Sequence, residues 1–508
     1  MIPSAQTKRI HDESGLTSGV NASPNHFDSW DSPDIRSGET YRLISLFAPA
    51  PVFDVWEFLL GAYGQERFFW SEPMHAGSFT LSGVGIAAEI RIAPILDTDG
   101  EAVTLPGYRF EEVADRARQL FINGIFLPAD AADPDQANSQ WLDHPARPRL
   151  FGGFAFQDDF VPDNTWSTFS PAQFVLPHFQ YVQSGADSYL TITALVSLQE
   201  DLGASLKGLR EALMTRLASR CPFQHHSTWV TDLRFPMSPE AWRHMVQNAT
   251  SEIQQNYIEK VVLSRVCEVR TDQPIDAATI LPYLEEYYGD CYRFIFEPVP
   301  NHGFFGASPE LLIHKSGDHV RTMALAGSAP RHSDEELDAA NARELLLSEK
   351  DRHEHQLVVD SIITKLESHA DTLSVPAIPT ILKLRNIQHL LTPITGRLLD
   401  SSVNILALIR LLHPTPAMGG VPAERALAFL RRAEPIPRGW YAAPIGWLDA
   451  HNEGVFAVAI RSAVTQQNRA WLYSGAGIVS DSNPEKEWTE TALKFRPMLG
   501  ALGVEGAG

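Results

Sequence analysis

From about position 40 to 235, short apolar runs alternate with Gly- and Pro-rich punctuation, and from 238 onward longer helical patterns join them. Tyr189-Leu190-Thr191-Ile192-Thr193-Ala194-Leu195 alternates at period two, which predicts a strand with one buried face. Lys260–Arg270 (KVVLSRVCEVR) is rich in β-branched residues and reads as a strand, as do Val455–Val464 (VFAVAIRSAV) and Trp471–Ser474. Ser238-Pro239-Glu240 opens a helix, with a cap, a proline in the first turn and an acid at the positive end. Glu335 to about Glu367 predicts one long helix. Ser482-Asn483-Pro484-Glu485 has the form of a capping box with an early proline, opening a helix to about Leu499. Mixed strands and long helices, with no repeat and no linker between 40 and 500, predict an α+β fold. Residues 1 to about 38 are polar with scattered Gly and Pro and read as a mobile tail.

Composition narrows the partners. The chain has 508 residues, enough to bury a substantial core, and its 44% apolar and 20% charged content is that of a globular enzyme. Its 41 basic and 62 acidic side chains give a formal charge of -21, which disfavours nucleic acid and anionic membranes. An anionic substrate must then be held by local positive charge against the global field. The three cysteines, Cys221, Cys267 and Cys291, lack CxxC spacing, so a reducing, cytoplasmic setting is expected and a disulfide framework or zinc site is not. No apolar run approaches membrane-spanning length, and Leu43–Phe53 is internal and broken by prolines, unlike a signal peptide.

Candidate chemistry gathers near the C-terminus. If VFAVAIRSAV is one strand, Phe456, Val458 and Ile460 share the core face, and Arg461 stands among Ala457, Ala459 and Ala463 on the other. Such an arginine suits a carboxylate, through its guanidinium fork, or pairs with a structural acid. Ser474–Val479 contains Gly475 and Gly477 in a GxG, read here as a turn whose amides can meet an anion or as a plain hairpin. It lacks the third glycine and the GK[ST] of nucleotide-binding loops. Glu487, Glu490 and Lys494 fall at i, i+3 and i+7 on one helix face, either a solvated ladder or the wall of a site beside that GxG. In Leu347–Asp360 (LSEKDRHEHQLVVD), His353 and His355 point to nearly opposite sides of a helix and do not make a zinc pair, whereas Glu354 suits a hard cation such as Mg²⁺. Glu310, in a tight turn at Gly306–Leu312, is either a cap or an acid kept protonated by restricted solvation. Lys260, heading an apolar strand, is either a snorkelling lysine or a base with a depressed pKa.

The order of these segments is more specific than any one of them. Lys260–Arg265, Gly306–Leu312, Ala324–Ser328, Ser348–His355, His389–Thr392, Leu412–Gly420 (LHPTPAMGG), Arg438–Trp447 and the closing Arg461–Lys494 segment together resemble the chorismate-utilising enzymes, and within them the isochorismate synthases. The matching motifs run from about Glu240 to Leu499; Met418 and Ser328 are mild departures, standing where Val or Leu and Thr are commoner. The resemblance implies one large α+β domain over 39–505, with two antiparallel sheets packed face to face and helices outside. Residues 39–237 would be mainly scaffold and 238–505 would carry the site. It also implies conversion of chorismate to isochorismate with Mg²⁺: water adds at C2 and the C4 hydroxyl leaves. Carried over residue by residue, Lys260 matches the base and Glu310 the acid. Glu354 and Glu490 match metal ligands, with Glu487 close by. Arg461, Tyr473, Gly475, Gly477 and Lys494 match positions that hold carboxylates, and Ala326, Gly327 and His389 match the pocket lining. Salicylate synthases, which go on to expel pyruvate, generally carry threonine near Ala417, so Ala417 favours stopping at isochorismate. A catalytically silent binding relative is a further alternative, disfavoured by the retention of Lys260, Glu310, Glu354, Glu490 and Arg461 together. No glutaminase subunit is expected, since anthranilate synthases usually lack a lysine where Lys260 stands, and a monomer is the plain expectation.

Overall fold

Alternation along the strands divides their side chains between two cores. Phe68 and Trp70, Phe294 and Phe296, Phe304, and Trp471 and Tyr473 enter one; the intervening Phe69, Ile295, Phe305 and Leu472 enter the other. The computed structural model describes residues 41–52, 55–74, 77, 79–100, 102–131, 143–218 and 228–504; the expected tail at 1–38 and Cys221 lie outside them.

Among the described residues 21 strands form one hydrogen-bonded network that branches at Ala172–Ser184 into two wings. All its pairs are antiparallel except Tyr41–Pro49 with Ile125–Pro128. One wing runs through Phe79–Ile92, Arg67–Ser71, Tyr292–Val299, His302–Ser308, Ser462–Gln466 and Arg469–Ile478 to Lys260–Thr271. The other runs through Leu150–Phe154, Pro444–Leu448, Gly454–Val458, Leu311–Ser316 and His319–Pro330 to Ile387–Leu398. Ile445, Phe456, Ile313 and Val320 of the second wing join the first wing's aromatics in the shared inner core. Outside the first wing, Leu206, Leu209 and Leu213 of the helix Leu202–Ala218 and Phe495, Met498 and Leu499 of the helix Pro484–Ala501 close the second core. Strands from before and after residue 238 are neighbours, as where Arg67–Ser71 pairs with Tyr292–Val299 and Leu150–Phe154 with Pro444–Leu448. Among the described residues no helix is long and apolar enough to cross a membrane.

Two expected elements are interrupted, and both breaks matter. The helix expected over 335–367 is two, Glu335–Leu347 and Glu349–Leu366. Ser348 leaves the helical conformation (ψ 115°) and caps the second, its Oγ accepting from the Asp351 amide. The strand expected over Val455–Val464 is likewise two, Gly454–Val458 and Ser462–Gln466. Arg461, at the break, adopts φ 51°, a left-handed conformation unfavourable for a side chain of its size. Next to it, His302–Ser308 and Leu311–Ser316 are separated by Pro309 and Glu310, not by a tight turn. Gly306 pairs with Ser462 in one wing and Leu311 with Ala457 in the other, so two neighbouring chains cross between the wings together. Backbone bonds from Val458 N to Glu310 O and from Ala307 N to Arg461 O fasten the crossing. It sets Glu310 and Arg461 side by side in sequence-distant segments.

Candidate active site

A partly enclosed cavity opens at this crossing. Its wall includes Glu310, Ala326, Gly327, Glu354, His389, Ala417, Arg461, Tyr473, Gly475, Gly477, Glu487, Glu490 and Lys494. Thus every candidate residue faces one space except Lys260, which lies just behind it. Lys260 is fully buried, its Nζ 2.9 Å from Glu354 Oε1 in an ion pair. The gap through which they meet exists because position 477 is glycine: a Cβ there would come within 2.5 Å of Glu354 Oε1 and 3.2 Å of Lys260 Cε.

The GxG is not a turn. Gly475 and Gly477 belong to the strand Arg469–Ile478, paired in register with Ser264 and Val262 of Lys260–Thr271. An amide nest needs successive helical and left-handed residues, and extended backbone does not supply one. The glycines act instead by lacking side chains. The Gly475 carbonyl accepts from Lys494 Nζ at 2.9 Å, which fixes that ammonium at the cavity edge. Asn483, rather than Ser482, caps the helix behind it, accepting from the amides of Glu485 and Lys486.

The acid wall comes from two helix starts. Glu354 lies in the second turn after Ser348; Glu487 and Glu490 lie in the first turns after Asn483. Each acid is turned to a lysine: Glu354 to Lys260, Glu487 to Lys350 at 3.3 Å, and Glu490 to Lys494 at 2.6 Å. In this arrangement, among the described residues, no three His, Cys, Asp or Glu side chains stand ready to hold a metal ion. The donors are all carboxylate oxygens, however, as a hard cation requires. Burial pushes the Glu487 carboxyl up to about 7, and the neighbouring Glu490 and Glu354 charges add to it, with Lys350 opposing. Burial also raises Glu354, but Lys260 first, then Lys494 and Lys350, outweigh it and hold that carboxyl below its ordinary value. Crowded acids that a cation would relieve are consistent with Mg²⁺.

The cavity also carries an acid and an arginine that make no direct ion pair among the described residues. Glu310 is 2% exposed, its Oε2 has no hydrogen-bond partner, and burial pushes its carboxyl up to about 8 against the attraction of Lys260, Lys494 and Arg461. Arg461 is 6% exposed, and among the described residues no carboxylate pairs with it. Its Nη2 donates instead to His389 Nε2 at 3.1 Å. Of the two readings left open by sequence, a structural ion pair is not seen among the described residues. A desolvated guanidinium with only a neutral partner is suited to an anionic ligand.

Several lining residues were not legible as candidates. Lys350, Asp351, Leu325, Ile460 and Tyr441 all face the cavity. Tyr441 stacks on Tyr473 with ring centroids 5.1 Å apart. Tyr473 accepts from Trp166 Nε1 and donates to Pro437 O, each at 3.1 Å, so it offers the cavity its ring rather than a free hydroxyl. The Ser348 break that brings Lys350 inward has a sequence signal, a serine three residues before an acid. His355 is buried with Nε2 2.8 Å from Thr392 Oγ1, and His353 is exposed, so this pair holds no metal together.

Residues 32–503 match the family described as "Chorismate binding enzyme", and the chain belongs to it. Within that family, the isochorismate synthase MenF of Bacillus subtilis is 35% identical over 444 residues, covering 87% of this chain and 89% of its own. A salicylate biosynthesis isochorismate synthase of Pseudomonas aeruginosa is 37% identical over 368 residues, 72% of this chain and 76% of its own. The solved structure of MenF, the menaquinone-specific isochorismate synthase of Escherichia coli, superposes with a TM-score of 0.72 at 25% identity, covering 91% of this chain and 95% of that one.

Proposed function

We propose that the protein is an isochorismate synthase, an isomerase that converts chorismate to isochorismate with Mg²⁺. The observation that carries this reading is Glu310: a buried carboxyl pushed up to about 8 in the same cavity as the unpaired Arg461. A group of that kind donates a proton near neutral pH, and the dianionic substrate supplies the counter-charge Arg461 lacks.

Water adds at ring C2, the double bonds shift, and the C4 hydroxyl departs as water, so one water enters and one leaves. Lys260 takes the proton of the attacking water, a role that asks for its amine free of the Glu354 contact. Glu310 gives its proton to the departing C4 oxygen. Each transfer is worth ~10²–10⁴-fold in rate. Arg461 and Lys494 hold carboxylate, while Ala326, Gly327, His389 and Ala417 shape the pocket against the ring. Glu354 and Glu490, with Glu487 beside them, would hold Mg²⁺, which supplies positive charge for the ring carboxylate when bound. The all-carboxylate donor set on that wall is what supports the assignment.

The test is incubation of purified protein with chorismate and Mg²⁺ followed by chromatography of the products. Isochorismate alone is expected. Salicylate with pyruvate would replace this reading by a salicylate synthase, and no turnover would sink both.

A further inference from the structure

Lys350 has no part in the chemistry above, yet it faces the cavity from the first turn of Glu349–Leu366. Its side chain is 33% exposed and reaches Glu487, which is 4% exposed, at 3.3 Å. A lysine in a protein of charge -21 has many exposed acids available; this one is spent on the most buried of the proposed metal ligands.

We propose that Lys350 is the resident counter-ion of the metal pocket, exchanging Glu487 for a substrate carboxylate when a divalent cation is taken up. The inference rests on the isochorismate synthase reading. Three facts support it. Glu354, Glu487 and Glu490 share one partly buried wall where like charges repel, so cations must balance them, and Lys350 is the one that pairs with Glu487. The other two lysines pair with the other two acids, Lys260 with Glu354 behind Gly477 and Lys494 with Glu490 beside the Gly475 carbonyl, which leaves Glu487 to Lys350. Among the described residues the Lys350 side chain makes no other hydrogen bond, and its partial exposure leaves its four-carbon stem free to swing. Once released from Glu487, its ammonium stays at the cavity wall, where an incoming dianion offers the replacement partner.

The exchange predicts opposite effects on metal and substrate. In Lys350→Met the internal competitor is gone, so Mg²⁺ measured calorimetrically without substrate should bind about fivefold tighter, ~1 kcal/mol. At saturating Mg²⁺ the KM for chorismate should rise about tenfold, since a carboxylate partner is lost. Lys350→Arg, which keeps the charge, should stay near wild type in both, and circular dichroism checks that each variant folds. Unchanged or weaker Mg²⁺ binding in Lys350→Met would overturn the counter-ion role, and an unchanged KM would overturn the transfer to substrate. If the wild type turns over chorismate and binds Mg²⁺ while Lys350→Met matches it, only this inference fails. Wild-type protein that neither binds Mg²⁺ nor turns over chorismate would remove the functional reading as well.

Discussion

Lys260 and Glu354 meet as an ion pair, Nζ to Oε1 at 2.9 Å, through the space left by a missing side chain at Gly477. The proposed base and a proposed metal ligand are thus each other's nearest counter-charge. Replacing either one therefore disturbs both roles, and the consequences can be separated only by changing them together.

Lys260→Ala should reduce turnover by at least ~10²-fold, the lower range for loss of a positioned base. It should also lower stability by about 2 kcal/mol, less than the ~3–5 kcal/mol for breaking a fully buried pair, because Glu354 keeps 13% exposure. Lys260→Ala/Glu354→Gln should recover most of that stability in thermal melts without recovering turnover. Near-normal turnover in Lys260→Ala would remove Lys260 as the base.

Glu310→Gln should be inactive while folding normally, because the amide keeps the shape and cannot release the proton. The pH dependence follows from a carboxyl raised by burial to about 8 from an ordinary 4.5. The folded protein retains a proton that the unfolded chain releases from about 4.5 upward, so this group's stabilisation is complete below 4.5 and is lost as pH rises through about 8. Wild-type kcat/KM should fall on the alkaline side of about 8 as the acid ionises. Glu310→Gln should lose less Tm than wild type between pH 5 and 9. Parallel Tm profiles for the two proteins would show that Glu310 does not hold its proton in the fold.

Gly477→Ala places a methyl 2.5 Å from Glu354 Oε1 and 3.2 Å from Lys260 Cε. Both are far ends of flexible side chains, so the fold should adjust at a cost of ~1–3 kcal/mol. The ion pair cannot keep its geometry, and turnover should fall at least tenfold, with Mg²⁺ affinity falling too. Gly475→Ala differs: its methyl meets the Leu263 carbonyl at 2.9 Å, and backbone cannot swing aside. It should be the less stable of the two by thermal melting; the reverse order would contradict this account of the strand.

Many of the cavity's residues were legible in the sequence, Lys350, Asp351 and Tyr441 were not, and the geometry that unites them was only partly so. Glu487, Glu490 and Lys494 follow from helical spacing, and that face does line the cavity. Arg461 was found for a reason that does not hold, because alternation along one continuous strand ends at Val458. What places it is the crossing between wings, a tertiary event imposed by pairing with His302–Ser308 and Leu311–Ser316. Gly475 and Gly477 suggest a turn locally, and ten paired residues of the neighbouring strand overrule that suggestion. Lys350 gave no local signal beyond the Ser348 cap, since its importance depends on an acid 137 positions away.

The last prediction concerns how Arg461 is aimed. His389 Nδ1 lies 3.2 Å from the Gly327 carbonyl and 3.0 Å from Ser328 Oγ. A carbonyl only accepts, so Nδ1 carries the proton and Nε2 is left to accept from Arg461 Nη2 at 3.1 Å. Burial holds the imidazole well below its ordinary pKa, and Arg461 and Lys494 push it further down, so the ring stays neutral and the acceptor is permanent. His389 is thus a positioning residue: it fixes the fork of a guanidinium whose backbone is already held at φ 51°. Removing that acceptor in His389→Phe should raise the KM for chorismate about tenfold, in line with ~1.5–3 kcal/mol for a hydrogen bond to a charged group, with a smaller change in kcat. His389→Asn, whose carbonyl can accept, should recover part of the loss. The ratio of KM between His389→Phe and wild type should stay flat between pH 5 and 8, because the ring does not titrate there. A KM unchanged in His389→Phe would mean that Arg461 is aimed by its backbone alone.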